Sequence, residues 1–359
     1  MNPIDLHALG LNDSFEQEAG QYEGLHLARV SQQHRDLYMV FSAHGELRAR
    51  VSGKLAYNAG INSDFPAVGD WVMIDRTEDK NGIAIMHRIL KRNSVFARKA
   101  AGTSNQLQII AANIDTVFIC MSLNNDFNLR RLERYLSIAW DSGSTPVIVL
   151  TKSDLCDDLP QRFDEVYSVA VGTDVLVTSS INAHEYEDIY RYIEPGKTIA
   201  FIGSSGVGKS TLINRLLGQE VLATKGLRND DKGRHATTYR QLILLPQGGI
   251  VIDTPGMREL QLSTADLAKS FEDIEGLAGQ CKYRDCRHLD EPGCAAKKAV
   301  EDGSLSQERL DSYHKLMKEL GYQGMDSRQL EQAKIRNMFG GKGAMKQAMD
   351  YVKNKNQKY

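Results

Sequence analysis

The stretch Gly203-Ser204-Ser205-Gly206-Val207-Gly208-Lys209-Ser210 limits what this chain can fold into more than any other. Before it, Thr198-Ile199-Ala200-Phe201-Ile202 reads as a buried strand. After it, the apolar spacing of Thr211-Leu212-Ile213-Asn214-Arg215-Leu216-Leu217 reads as a helix. Strand, GxxxxGK[ST], helix is the order of a phosphate-binding loop. Glycines let such a backbone wrap a polyphosphate and aim N–H groups at it. The positive end of the helix dipole adds to that field. Lys209 is placed to reach the β- and γ-phosphates, and Ser210 to hold Mg²⁺. A glycine-rich turn can arise by chance, but the lysine, the hydroxyl and both flanking elements agree here. The loop by itself specifies only a nucleoside triphosphate.

With 359 residues, the chain is long enough for two or three domains. A net charge of −2 excludes a general polycation, yet charge is uneven. Residues 80–113 hold six Lys/Arg and no Asp or Glu, and residues 328–359 hold eight against two acids. Either run serves equally as a solvated face or as a surface for a phosphate backbone. The first twenty residues lack a basic n-region and an apolar h-region, so no secretory leader is expected. No apolar run approaches the ~20 residues needed to span a bilayer. Five cysteines, three of them clustered late, suggest metal and not a disulfide framework in a cytoplasmic protein.

Residues 1–22 read as an extended or partly helical arm. Five short strand-like runs follow, Leu25–Val30, Asp36–Phe41, Glu46–Val51, Gly69–Asp75 and Gly82–Leu90, separated by glycines and polar clusters. They suit a five-stranded OB-type barrel over 23–105. The adjoining Arg88, Lys91, Arg92, Arg98 and Lys99 favour RNA. Phe96 and Tyr57 are placed equally well for base stacking and for the core.

From about Asn113 strands alternate with helices, which predicts an α/β doubly wound domain over 106–264. Asn128 is a plausible N-cap for a helix whose Leu129, Leu132, Leu136 and Ala139 share a face. Further helices are expected at Pro160–Val166 and Glu185–Tyr192. Directly after the strand Pro146–Leu150 stands Thr151-Lys152-Ser153-Asp154, which resembles the guanine-reading NKxD motif of GTPases with Thr in place of Asn. The Asp154 carboxylate can accept from guanine N1–H and the 2-amino group, a donor pair adenine lacks. A turn after a strand also favours Thr, Ser and Asp for purely local reasons. Asp253-Thr254-Pro255-Gly256, after another strand, fits DxxG. There Asp253 would bind Mg²⁺ through water, and the Gly256 N–H would meet the γ-phosphate. Ser179-Ser180 resembles the last guanine-contacting loop. In ordinary GTPases the phosphate loop comes first. Here TKSD precedes GxxxxGKS, which precedes DTPG. That order implies a circular permutation, with the chain leaving the domain just after the γ-phosphate-sensing segment.

Late in the chain, Cys281-x4-Cys286-x-His288-x5-Cys294 offers three thiolates and an imidazole in fourteen residues. A Cys₃His set suits a closed, structural Zn²⁺ site inside a mainly helical segment at 265–325. The last stretch, 326–359, reads as a basic helix or tail. Cys120 and Cys156 are read as a small apolar residue or a thiol.

These features together resemble the RsgA (YjeQ) family of circularly permuted GTPases. The resemblance rests on Arg98-Lys99, on Asn128-Leu129-Arg130-Arg131-Leu132-Glu133-Arg134-Tyr135, on the permuted TKSD–GSSGVGKST–DTPG set and on the cysteine cluster. It covers about residues 20–325. It implies an OB barrel, a permuted P-loop GTPase domain and a zinc domain. It further implies a monomer that binds the small ribosomal subunit and its 16S rRNA late in assembly and turns GTP into GDP there, with no membrane. The usual water-orienting Gln after DxxG is Met257 here. By the resemblance His235, in Gly233-Arg234-His235-Ala236-Thr237-Thr238, positions the water. Because Ala236 takes the first threonine position, Thr237 becomes the candidate for Mg²⁺ and γ-phosphate contact. A loop histidine is also often merely solvated. Two other classes stay open on the residues alone. One is a P-loop kinase or ATPase without guanine preference. The other is an RNA-binding module whose nucleotide site is only regulatory.

Overall fold

The computed structural model describes residues 4–34, 36–59, 62–78, 82–99, 107–179, 184–219, 241–253, 270–289 and 291–321. The N-terminal segment is partly helical and packs against the barrel. Helix α1 (Asp13–Ala19) starts where the Asn12 side chain accepts from the Phe15 N–H. Phe15 then packs on Trp71, with ring centroids 5.8 Å apart, and Leu9 is fully buried.

The five expected strands form a closed barrel. They are β1 (His26–His34), β2 (Leu37–Ser42), β3 (Gly45–Val51), β4 (Trp71–Ile74) and β5 (Ala84–Ile89), with helix α2 (Gly53–Asn58) after β3. Their spatial order is β1-β2-β3-β5-β4, and β4 returns to pair with β1. Ala28, Val30, Tyr38, Val40, Leu47, Ala49, Val72, Ile74, Ala84 and Met86 fill the interior. Every second residue points inward, as the period of a strand demands. Tyr57 stands 90% exposed and Phe96 is buried, so of the two only Tyr57 is available for stacking. Arg92 is largely occupied within the fold. Its guanidinium pairs with buried Asp70 and donates to the Ser63 and Phe65 carbonyls.

A ladder that the alternation pattern did not reveal joins β6 (Val95–Lys99) to β7 (Leu107–Ala112), antiparallel. The α/β domain follows with β8 (Thr116–Ser122), α3 (Leu129–Ser142), β9 (Thr145–Thr151), α4 (Leu159–Tyr167), β10 (Asp174–Thr178), β11 (Thr198–Gly203), α5 (Lys209–Leu217), β12 (Gln241–Leu244) and β13 (Ile250–Asp253). The segment expected as a helix at Glu185–Tyr192 is a 3₁₀ helix spanning His184–Tyr192. The strand order is β10-β9-β8-β11-β13-β12, parallel except for β12. Both faces are covered, which explains the near-continuous apolar runs. Along β8, Val117, Ile119 and Met121 join the core that holds Leu132, Leu136 and Ala139 of α3. Phe118 and Cys120 join Leu212, Ile213 and Leu216 of α5 on the other face.

Barrel and α/β sheet are hydrogen-bonded into one eleven-stranded array. The first half of β1 pairs with β4, and after a register shift between Val30 and Gln32 it meets β12 at Gln32↔Gln241. Arg29, fully buried, fastens this junction. It donates to the carbonyls of Leu9, Gly69 and Asn113 and to the Thr198 hydroxyl. Burial lowers its pKa to about 10, with Asp115 and Asp70 opposing, so it stays charged at neutral pH.

Three helices close the described chain: α6 (Glu272–Ala278), α7 (Ala295–Glu301) and α8 (Gln307–Gly321). Phe271, Ile274, Ala296, Leu310, Tyr313 and Leu316 pack them into the core that includes α3. Among the described residues no helix is long and apolar enough to cross a membrane.

Candidate functional site

Four of the predicted turns lie at the carboxyl ends of parallel strands: Thr151 ends β9, Ser179 follows β10, Gly203 ends β11 and Asp253 ends β13. That edge is where open α/β sheets bind ligands. The permuted chain order therefore still brings its motifs to one side of the sheet.

The phosphate loop has the backbone its glycines allow. Gly203 sits at φ 145° and Gly208 at φ 111°. A Cβ at Gly203 would lie 2.5 Å from the Cys120 carbonyl oxygen, so only glycine fits. The Gly208 turn leads straight into α5, whose first residues are Lys209, Ser210 and Thr211. Ser205 and Gly206 are exposed, and Val207 is buried beneath them. The Lys209 Nζ donates to the carbonyls of Gly203 (2.8 Å) and Ser204 (2.6 Å), folding the lysine back along its own loop.

The Thr151-Lys152-Ser153-Asp154 turn is fastened to this loop. The Thr151 hydroxyl donates to the Val207 carbonyl at 2.6 Å. The hydroxyl in the position usually held by Asn thus joins the two loops. Lys152 adopts φ 59° and opens a 3₁₀ turn, Ser153–Leu155. The Asp154 side chain is accessible and accepts from the Ser179 hydroxyl at 2.5 Å, which fixes the carboxylate's orientation. Asp154 keeps acceptor capacity for a donor pair on a base.

Asp253 ends the strand beside β11. Burial raises its pKa and the Lys209 charge opposes the rise. A divalent cation there would favour the ionised form. Ser180, His235, Thr237, Gly256 and Met257 lie outside the described residues.

One contributor escaped the motif reading. Asp126, in the turn between β8 and α3, accepts from the Ser204 hydroxyl (2.6 Å) and from Arg131 (2.9 Å). Its pKa is lowered, first by the Ser204 hydrogen bond and then by Arg131. The available signal was its position: an acid just past a buried strand, at the same edge as the other motifs.

The cysteine cluster is assembled as its spacing predicts. The ligating atoms of Cys281, Cys286, His288 and Cys294 lie within 4.8 Å of one another. His288 Nδ1 is 3.6, 3.7 and 3.3 Å from the sulfurs of Cys281, Cys286 and Cys294. Zinc bonds of ~2.3 Å to sulfur and ~2.0 Å to nitrogen, at a tetrahedral angle, put S and N ~3.5 Å apart. The donor set therefore fits Zn²⁺, with Nδ1 as the imidazole ligand. His288 holds φ 59°, and burial lowers its pKa, so the ring is neutral and able to ligate. The thiols do not ionise alike: against desolvation, the Ala295 N–H and the Cys286 thiol hold Cys281 below the usual thiol value. Cys286 is pushed up to about 11, first by desolvation and then by the Cys294 and Cys281 thiols.

Comparison with known proteins agrees with this geometry. The family model described as RsgA GTPase matches residues 89–263. A second, described as ABC transporter, matches residues 186–353, a stretch containing the phosphate loop that many nucleotide-binding families have in common. Small ribosomal subunit biogenesis GTPase RsgA 2 of Lactiplantibacillus plantarum is 55% identical, over 96% of this chain and 97% of that protein. Small ribosomal subunit biogenesis GTPase RsgA of Methanosarcina acetivorans is 43% identical, over 92% and 90%. The crystal structure of YjeQ from Thermotoga maritima superposes with a TM-score of 0.59 at 26% identity, covering 82% of this chain and 98% of that one. YloQ, a circularly permuted GTPase, gives 0.58 at 29%, covering 83% and 96%.

Proposed function

Since the chain belongs to the RsgA family of P-loop GTP hydrolases, we propose that it acts in biogenesis of the small ribosomal subunit, binding the subunit through its 16S rRNA and hydrolysing GTP there. The observation that carries this is the joined pair of loops. Val207 of the phosphate loop accepts from Thr151 of the base-reading turn, so a triphosphate and its base are held as one unit.

In this reading Gly203 to Thr211 cradle the phosphates, with Lys209 leaving its own carbonyls for the β- and γ-oxygens. Mg²⁺ bound with GTP neutralises charge on the phosphates, with Ser210, Thr237 and Asp253 as its residues. Thr151, Lys152, Ser153, Asp154, Ser179 and Ser180 form the guanine pocket, and Gly256 meets the γ-phosphate. His235 positions the attacking water, because Met257 has no group that can. Cys281, Cys286, His288 and Cys294 hold one structural Zn²⁺. The barrel and the zinc bundle grip rRNA on either side of the nucleotide domain, in a cytoplasmic monomer.

GTP turnover with and without purified small subunits tests the proposal. We expect slow turnover alone and a rise of at least ~10²-fold with subunits, as when a partner completes a GTPase site. Unchanged turnover would leave only a nucleotide-regulated binding module. His235→Ala should abolish the stimulated part. Asp154→Ala should lose a ~10²-fold or greater preference for GTP over ATP.

A further inference from the structure

In chain order the zinc bundle follows DxxG, and that is its expected link to the nucleotide. The structure holds a second link, through α3. At the front of α3, Arg131 binds Asp126, and Asp126 takes the hydroxyl of Ser204 in the phosphate loop. Two residues along the same helix, Glu133 is fully buried. Its Oε1 accepts from Arg130 at 2.5 Å and from Arg309 of α8 at 2.8 Å, while its Oε2 has no partner among the described residues. The same Arg309 clamps Asp273 of α6 with two bonds, 2.5 and 2.8 Å, and donates to the Ser270 carbonyl. One guanidinium thus ties the first and last helices of the bundle to a buried acid on the helix that supports the phosphate loop. Buried, multiply bonded ion pairs of this kind favour one arrangement sharply, because any half-broken state strands a charge. They make α3 a stiff bridge with a phosphate-loop contact at one end and the bundle on its side.

We propose that Asp126 and Arg131 are positioning residues for the phosphate loop, and that the Glu133–Arg309 clamp makes the zinc bundle part of that support. Nucleotide affinity and bundle seating are then coupled through α3 without passing through DxxG. Linkage makes the coupling reciprocal: what loosens the bundle weakens nucleotide binding, and bound nucleotide tightens the bundle. The inference rests on reading Gly203–Ser210 as the nucleotide site.

A double-mutant cycle on the full chain tests it, with a fluorescent GDP analogue as probe. Binding by the unmodified protein is the control; failure there would refute the site reading itself. Arg309→Met should weaken nucleotide binding about fivefold, the low end of measured couplings. It should have much smaller effect when Asp126 is already Ala, because the path is then cut. Arg309→Lys, which keeps charge but not the fork that spans Glu133 and Asp273, should fail to restore affinity. Ser204→Ala should likewise lose its effect once Arg131 is Met. Amide exchange on each variant verifies that the barrel and β8–β11 remain folded. The proposal is overturned if Arg309→Met destabilises the bundle but leaves affinity unchanged. It is equally overturned if the Arg309 and Asp126 effects simply multiply, as independent sites do.

Discussion

The α/β domain carries a neighbour on each side, and the two are attached by different physics. The barrel is joined by backbone: β1 pairs with β12, and Arg29 caps carbonyls from Leu9, Gly69 and Asn113. The Cys₃His bundle is joined by charge and packing: Arg309 spans Glu133 and Asp273 over a shared apolar core. A continuous sheet transmits rigidity and has few alternative registers. An ion-pair clamp between packed helices has discrete made and unmade states. The barrel should therefore move with the nucleotide domain as one body, and the bundle should be the part that answers to it.

The largest expected effect separates the two sides completely. If the Cys₃His set holds Zn²⁺ as proposed, removing it with a chelator should take away on the order of 10 kcal/mol of folding energy from the bundle. Amide exchange should then rise throughout α6–α8 while β1–β5 keep their protection. Next, Arg309→Met leaves the buried Glu133 carboxylate to Arg130 alone and Asp273 without its clamp, and should cost about 3 kcal/mol. Thermal unfolding should split, with the bundle melting first. Arg29→Met strips donors from three buried carbonyls and should cost about 3 kcal/mol. Here a single transition should shift without splitting, because barrel and sheet unfold together; a separate barrel transition would break the comparison.

The smallest effect is a pH effect at Asp126. Its folded pKa is depressed, so its stabilisation is present above the ordinary carboxylate range near pH 4 and lost as pH falls below it. The side chain is 43% exposed, and after screening the contribution is below about 1 kcal/mol. Asp126→Asn should lower the neutral plateau by that amount and leave the acid end near the same height, which flattens the acid limb between them.

What the chain discloses in advance follows the same division. The phosphate loop, the TKSD turn and the Cys₃His set are local patterns, each dictated by a few adjacent residues, and the structure assembles them as spaced. The barrel strands were legible because alternate residues face inward. Long-range partners were not. Nothing near Glu133 names Arg309, which lies 176 residues away, and nothing near Arg29 names Thr198, at a separation of 169. Arg92 belonged to a basic run, yet its charge is spent on Asp70, because burial and not composition decides whether a cation faces a ligand. The Thr151 hydroxyl holds Val207, a role that only the convergence of β9 and β11 at one sheet edge makes possible.

The claim that the bundle responds while the barrel rides along is tested most directly by amide exchange on the full chain. Protein bound to a non-hydrolysable GTP analogue is compared with protein bound to GDP. The account predicts that protection in α3 and α6–α8 differs between the two states and that β1–β5 exchange alike in both. Nucleotide-dependent exchange in the barrel strands, with α6–α8 unchanged, would contradict it.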